Sequence, residues 1–346
     1  MAGASTITVK APVRVDIAGG TLDVYPIYNV IGSSLTVNFA INMFSRVTLK
    51  KRVEEGIQIN FGKGEKREFE NTHSLENKGR LSVIKHVFEY FPPFGNFVLT
   101  FDSEAPLGSG LGASSSLIVA LLTATGFFSN NLVPLKNLFL VASEIESSLI
   151  KMMTGKQDYV PAVYGGLNVI RFSPGKTQLV NIKKDKAECR FLEEYGFLAF
   201  TGVSHVSANE NWLLVKKLLD GGRGGEEKFV RLLSLAEYAS VAIADRDPAR
   251  LGKIIDDEWQ VRKSLSPNVT VGVFEKFTRS REVKKVIFSA RLCGAGGGGT
   301  MFGILKSPGY RRRASELAEK AGFIPIPFSI SGGLEVRVGG KRVEPL

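Results

Sequence analysis

Glu104-Ala105-Pro106-Leu107-Gly108-Ser109-Gly110-Leu111-Gly112-Ala113-Ser114-Ser115-Ser116, with the apolar run 117–122 behind it, is the stretch from which the rest of the chain can be read. Its glycines leave the backbone free to turn sharply, and an apolar segment of helical length begins where the serines end. A glycine-rich turn running into a helix N-terminus aims unpaired N–H groups and the positive end of the helix dipole at one spot, which suits a phosphate. Ser114, Ser115 and Ser116 suit the cap of that helix, and one of their hydroxyls can instead reach a metal ion. The loop is not a Walker A sequence, because no Gly-Lys-Ser/Thr follows it, and no G-x-G-x-x-G opens a βαβ unit.

Working outward, residues 96–101 read as a strand feeding the loop, and 111–127 and 135–150 read as helices. Upstream, the alternating, β-branched residues 5–10 predict a strand, 13–18 a second, and 34–39 with 44–50 a β pair. Residues 57–61 extend the strand set, and 81–90 form a helix that stops before Pro92-Pro93. Downstream, 166–172 and 177–182 read as a hairpin turning at Ser173-Pro174-Gly175-Lys176. The charged tract 183–194 marks a domain boundary, dividing the chain into 1–185 and 186–346. The second half reads as a strand at 195–201, helices at 210–219, 227–243, 247–265 and 271–288, a strand at 300–305 and a helix at 310–321. Strands at 324–330 and 334–338 close it, and Gly221–225 is expected to be a flexible connector. Strands and helices without strict βαβ alternation predict an α+β chain with mixed or antiparallel sheets.

The chain has 346 residues, 44% hydrophobic and 23% charged, which is long enough for a sizeable core in two domains. The formal net charge of +11 is scattered over short basic pairs and triplets such as Lys50-Lys51-Arg52 and Arg311-Arg312-Arg313, interrupted by acids. That pattern predicts a solvated surface, with no nucleic-acid stripe and no membrane partner. No window of eighteen apolar residues exists, and residues 1–5 lack the regions of a signal peptide, so a cytoplasmic protein is expected. Cys189 and Cys293 share no metal or redox spacing and read as reduced thiols. His205 stands alone, without a second ligand at zinc spacing.

Four stretches, in order along the chain, resemble the GHMP small-molecule kinases, the family of galacto-, homoserine, mevalonate and phosphomevalonate kinases. They are Ala11-Pro12-Val13-Arg14-Val15-Asp16-Ile17-Ala18-Gly19-Gly20-Thr21-Leu22-Asp23, the 106–116 loop, Gly155-Lys156-Gln157-Asp158 with Tyr164-Gly165-Gly166, and Cys293-Gly294-Ala295-Gly296-Gly297-Gly298-Gly299. Within the family, the third stretch is similar to the branch of sugar-1-kinases and D-glycero-D-manno-heptose 7-phosphate kinases. The resemblance implies an N-terminal ATP-binding domain like one domain of ribosomal protein S5, a ferredoxin-like C-terminal domain, and an active site in the cleft between them.

It also implies roles. Pro106, Gly108, Ser109, Gly110, Leu111, Gly112, Ala113, Ser114 and Ser115 would cradle the phosphates of ATP, with Ser114 and Glu146 meeting Mg²⁺. The family has Ser where Ala113 stands, so backbone N–H groups would carry most of the load. Glu146 lies at the family's spacing from Asp158; Glu144 is the rival, and a two-residue step turns a helical side chain by about 200°, so only one of them can face the nucleotide. Asp158 would accept or orient the proton of the attacking hydroxyl, with Arg14 and Lys156 supplying positive charge to it and to the phosphoryl group. Asp23, with Gly19, Gly20, Gly296, Gly297 and Asp158, would bind the acceptor, because one carboxylate can accept from two adjacent hydroxyls.

Besides Ala113, the chain departs from the family in three places. Tyr159 stands where the family has Gln, Thr21 and Asp23 are separated by Leu22 instead of adjacent, and the galactokinase Glu-His is absent. The resulting expectation is an ATP- and Mg²⁺-dependent kinase for a hydroxyl of a sugar or sugar phosphate, working as a monomer or homodimer. The alternatives are another acceptor (a cyclitol, a galactose-like sugar or a mevalonate-type acid) or a catalytically silent nucleotide and sugar sensor. The adenine contacts are assigned only loosely, to the 61–81 region.

Overall fold

The computed structural model describes residues 6–345 apart from 63, 107, 184–185 and 205–207, so Leu107 of the glycine loop and His205 lie outside the described residues. The first half of the chain runs β1 (Thr6–Ala18), α1 (Ile27–Val30), β2 (Ser34–Lys51), β3 (Ile57–Asn60), β4 (Lys66–Phe69), α2 (Gly79–Tyr90), β5 (Phe97–Ser103) and α3 (Ala113–Ser129). It continues with α4 (Leu135–Ile150), α5 (Tyr159–Tyr164), β6 (Leu167–Ser173) and β7 (Lys176–Lys183). Next come α6 (Ala187–Tyr195), β8 (Gly196–Phe200), α7 (Ala208–Asp220), α8 (Gly222–Asp245) and α9 (Pro248–Leu265). The chain closes with α10 (Gly272–Arg279), α11 (Arg281–Val286), β9 (Ile287–Leu292), β10 (Thr300–Leu305), α12 (Arg311–Lys320), β11 (Ile324–Ile326), β12 (Glu335–Val338) and β13 (Lys341–Val343).

Among the described residues the strands form two sheets. The nine-stranded sheet has the order β13-β12-β1-β2-β5-β3-β4, with β6 on β2 and β7 on β6. Its pairings are antiparallel except β3 with β5. The four-stranded sheet, β11-β8-β10-β9, is antiparallel throughout. This is an α+β architecture, as the irregular alternation of strands and helices predicts. The closing hairpin β12–β13 pairs with β1, so the large sheet draws strands from both sides of residue 185.

Several elements differ from their sequence-based expectation. The described residues of the strands expected at 5–10 and 13–18 form one strand, β1: pairing to β12 ends at Lys10 and a bulge falls between Pro12 and Val13, which makes room for a residue with no N–H. Residues 34–39 and 44–50 are likewise one strand, β2. Ala40-Ile41-Asn42-Met43 holds no Gly or Pro to turn the chain, and Ala40 and Ile41 are buried against β1. β2 changes neighbour instead, pairing with β6 over Ser34–Phe39 and with β5 over Ser45–Lys51. Gly222 to Gly225, expected as a connector, begin α8. The helix expected over 271–288 breaks at Ser280 and ends in strand β9, because an apolar run such as Val286-Ile287 fits either period. The charged tract read as a boundary contains α6, which buries Cys189, Phe191 and Leu192.

One apolar cluster packs α2, α3 and α4 on the sheet, with Val47, Leu49 and Leu99 against Ile118, Leu122 and Phe139. A second joins Val13, Val15, Ile17 and Phe39 to Ala236, Ala239 and Ile255 of α8 and α9 and to Phe302 of β10. This second cluster locks the two sheets together. It also sorts the sides of β1: Val13, Val15 and Ile17 enter the apolar cluster, so Arg14 and Asp16, which alternate with them, fall on the other face. None of the described helices is long and apolar enough to cross a membrane.

Candidate active site

The glycine loop ends in Gly112, the N-cap of α3, in the left-handed conformation at φ +73°. A β-carbon there would stand 3.4 Å from Asp158 Oδ2 and 3.5 Å from Arg14 Cγ, so glycine keeps this corner open. No side chain among the described residues caps α3, and its first-turn N–H groups stay available to an anion. Ser116 is the point where the ladder closes, its N–H donating to Gly112 O at 3.0 Å. The second glycine run lies backbone to backbone against the first. A β-carbon on Gly110 would fall 2.6 Å from Cys293 O, and Thr300 N donates to Ser109 O at 2.8 Å. Thr201 clamps the far end, donating from both N and Oγ1 to Gly299 O. The positions fit phosphate binding: a loop with glycine at 108, 110 and 112, at the N-terminus of a long helix.

Beneath the cradle, Arg14 donates from Nε to Asp158 Oδ1 at 2.9 Å, its Nη2 lies 2.7 Å from the same oxygen, and its Nη1 bonds Gly110 O. Arg14 N also donates to Leu111 O at 2.9 Å. Burial by itself lowers the Arg14 pKa, but Asp158 and Asp16 outweigh it and the net shift is upward. Asp158 keeps a quarter of its side chain exposed, beside Gly112. The guanidinium therefore fixes both the carboxylate and the loop carbonyl above it.

A buried ionic network extends from this pair, and sequence reasoning missed it. Asp16 Oδ2 lies 2.8 Å from Arg291 Nη2 and 3.7 Å from Arg262 Nη1, while its Oδ1 accepts Gly294 N at 2.8 Å. Arg291 also pairs with Glu258 at 3.0 Å, and Arg262 donates to Thr21 Oγ1 and Gly294 O. Burial by itself raises the Asp16 pKa, but the three arginines and the Gly294 N–H carry it below the usual value. The network ties β1 to α9, β9 and the second glycine run. Its one legible trace was the Arg14–Asp16 alternation inside an apolar strand.

On the other side of the α3 N-terminus, Glu146 of α4 is partly buried while Glu144 is exposed. Ser114 Oγ donates to Glu146 Oε1 at 2.6 Å, and Ser115 Oγ (2.9 Å) and the Tyr159 hydroxyl (2.5 Å) donate to Oε2. Burial raises the Glu146 pKa and these donors lower it, with a net shift upward. Among the described residues no cluster of three or more His, Cys, Asp or Glu could hold a metal. One carboxylate beside a hydroxyl is nevertheless a hard oxygen pair that fits Mg²⁺, which keeps most of its waters and takes the rest of its ligands from phosphate.

Asp23 is buried, with Oδ2 accepting Gln157 N at 2.9 Å and Oδ1 left without a partner. Burial pushes its carboxyl up to about 6, against the Gln157 hydrogen bond. Gly20 packs close to Asp16, Gln157 and Arg262, and Gly19 close to Leu35. Lys156 is turned away from Asp158, its Nζ lying 3.4 Å from the Tyr28 hydroxyl. Gly296 packs against the Val269 backbone, and Gly297 N donates to Val269 O at 2.6 Å. Pro106 O accepts Ser109 N and so shapes the loop, while Ala113 O accepts Ser116 Oγ at 3.1 Å. The structure thus brings Arg14, Asp158, Gly110 and Gly112 together, and Ser114, Ser115 and Glu146 together. Lys156 and the 296–297 pair stand apart from both groups.

The family described as "GHMP kinases N terminal domain" matches residues 80–166, and "GHMP kinases C terminal" matches 239–322. The chain is 27% identical over 309 residues to D-glycero-alpha-D-manno-heptose 7-phosphate kinase of Campylobacter jejuni, covering 86% of this chain and 88% of that one. It is 23% identical over 246 residues to glucuronokinase 1 of Arabidopsis thaliana, with 68% of this chain and 65% of that one covered. The crystal structure of a D-glycero-D-manno-heptose 1-phosphate kinase from Bacteriodes thetaiotaomicron superposes with a TM-score of 0.77 at 22% identity, covering 96% and 98% of the two chains, and shares the fold.

Proposed function

The chain belongs to the GHMP kinases, carrying both their N-terminal and C-terminal domains, and from that premise we propose that it is an ATP- and Mg²⁺-dependent kinase for a hydroxyl of a sugar or sugar phosphate. A heptose phosphate is the favoured acceptor, by similarity to the relative that carries that name. The observation that carries the reading is the Arg14–Asp158 pair directly beneath Gly112, where a carboxylate meets the mouth of an anion-binding helix N-terminus.

In the proposed reaction Asp158 orients the acceptor hydroxyl and takes its proton while the hydroxyl oxygen forms the new bond to the γ-phosphorus. The bond from that phosphorus to the bridging oxygen breaks, and ADP leaves with the electron pair. Arg14 holds Asp158 through Oδ1 and leaves the rest of the carboxylate to the acceptor. Ser114 and Glu146 would hold Mg²⁺, which supplies charge neutralisation on the β- and γ-phosphate oxygens. Asp23 offers the acceptor an unpartnered carboxylate oxygen. ATP as donor and reduced thiols suit a cytoplasmic setting, with the protein acting as a monomer or homodimer.

The test is ADP release with Mg²⁺-ATP against heptose phosphates, hexoses, uronic acids, cyclitols and mevalonate, run beside Asp158→Asn. Turnover on one acceptor that is lost in the variant is the expected result. Nucleotide binding without turnover on any acceptor would turn the reading to the silent sensor. Turnover that survives Asp158→Asn would remove Asp158 from its role.

A further inference from the structure

We infer that Tyr159 is the positioning residue of the metal site, its phenol holding the Glu146 carboxylate so that one chosen oxygen faces the cation. The inference rests on the kinase reading and adds a residue to it. Tyr159 is fully buried, and its hydroxyl donates to Glu146 Oε2 at 2.5 Å. The same oxygen accepts from Ser115, whereas Oε1 accepts from Ser114.

A carboxylate oxygen offers about two lone-pair directions. Oε2 therefore has both engaged, and Oε1 keeps one. Oε1 is the oxygen bonded to Ser114, which is the exposed member of the trio and stands in the first turn of α3. Ser114 Oγ can keep its hydrogen on Glu146 while offering its own lone pair to a cation, so both metal-facing oxygens are set by one arrangement of hydroxyls. Without the phenol, Oε2 would rest on Ser115 alone and the carboxylate would be held only by the two serines of α3.

Chain position explains why this residue can do it. Asp158 is the N-cap of α5 and Tyr159 its first residue. The two side chains leave consecutive Cα atoms in different directions, one to Arg14 and one to Glu146. The start of α5 thus seats both carboxylates of the site. Groups that orient a metal ligand without touching the metal commonly change affinity by about 10–100-fold when removed.

The experiment measures binding of Mn²⁺ to the ADP-loaded protein by electron paramagnetic resonance, and of ADP in EDTA by calorimetry, for wild type, Tyr159→Phe and Tyr159→Gln. Phe keeps the buried ring and removes the donor; Gln shrinks the side chain but restores an N–H donor. Thermal melting of each variant checks the fold. The expected result is Mn²⁺ affinity about 10–100-fold weaker in Tyr159→Phe, recovery to within about threefold of wild type in Tyr159→Gln, and ADP affinity in EDTA unchanged in both. Wild-type Mn²⁺ affinity in Tyr159→Phe overturns the inference and leaves the kinase reading standing. So does equal weakening in both variants, or a parallel loss of ADP affinity in EDTA, which would mark a packing role. Wild type that binds neither ADP nor Mn²⁺ removes the kinase reading and this inference with it.

Discussion

The two carboxylates that flank the N-terminus of α3 are held in opposite ways. Asp158 rests on a guanidinium, so its charge is met by an opposite charge. Glu146 rests on hydroxyls from Ser114, Ser115 and Tyr159, so it meets dipoles that leave its charge intact, and burial still pushes its pKa upward. A carboxylate already paired with an arginine offers a nearby cation little; it is fixed in place and suited to a hydrogen bond from a neutral hydroxyl. A carboxylate held by hydroxyls keeps a net negative charge in a partly dry place, which an arriving cation relieves. The two groups are chemically alike, and their partners divide the work between them.

That contrast can be broken or sharpened by experiment. The largest effect is expected for Asp158→Asn, which keeps the shape but removes the proton acceptor; kcat should fall by about 10²–10⁴-fold, with the Mg²⁺ concentration for half-maximal rate unchanged. A shift in that Mg²⁺ dependence would blur the division. Glu146→Gln should show the opposite split, with half-maximal Mg²⁺ raised by about 100-fold and acceptor KM unmoved, read from Mg²⁺ titrations at saturating acceptor.

The smallest effect concerns Asp23. Its folded-state value of about 6 lies above the ordinary 3.8, so the native state holds a proton that the unfolded chain gives up between those values. Stability therefore falls as pH rises from about 4 to about 6 and carries a constant penalty above that. Melting temperature against pH should show this slope in wild type and a flatter one in Asp23→Asn. If the Asp23 carboxylate receives an acceptor hydroxyl, kcat/KM for the acceptor should fall by about tenfold per pH unit below about 6, while KM for ATP stays level.

Much of the site was legible because it is written in local sequence. The loop glycines, the serines after them and the apolar helix behind sit within about twenty residues, and cap chemistry acts over that range. Arg14 and Asp158 were paired on resemblance, and the geometry brings them into contact across the fold. Glu144 and Glu146 were an open pair, because helical geometry says that one of them faces inward and the register of α4 on α3 decides which. Beyond the Arg14–Asp16 alternation, the Asp16–Arg291–Glu258 and Arg262 contacts were not legible: their members stand hundreds of positions apart or on different elements, and each alone reads as a surface charge. Lys156 was expected at Asp158, yet its neighbour Gln157 is pinned to Asp23 through its backbone and the lysine leaves toward Tyr28. In the fold, two of the errors fell where a strand kept going, at Pro12 and at Ala40 to Met43, since a missing turn signal is weaker information than a present one.

The closing hairpin has a consequence for how the molecule is made. β1 leaves the ribosome long before its partner β12, since Ile7 pairs with Val338. Until residues 335–338 arrive, the Ile7–Lys10 edge of β1 presents unpaired N–H and C=O groups to whatever strand is near. Over that interval the nascent chain carries an open edge along β1, and ribosomes carrying it in close succession would offer one another matching edges. The hairpin is the cover that ends this exposure.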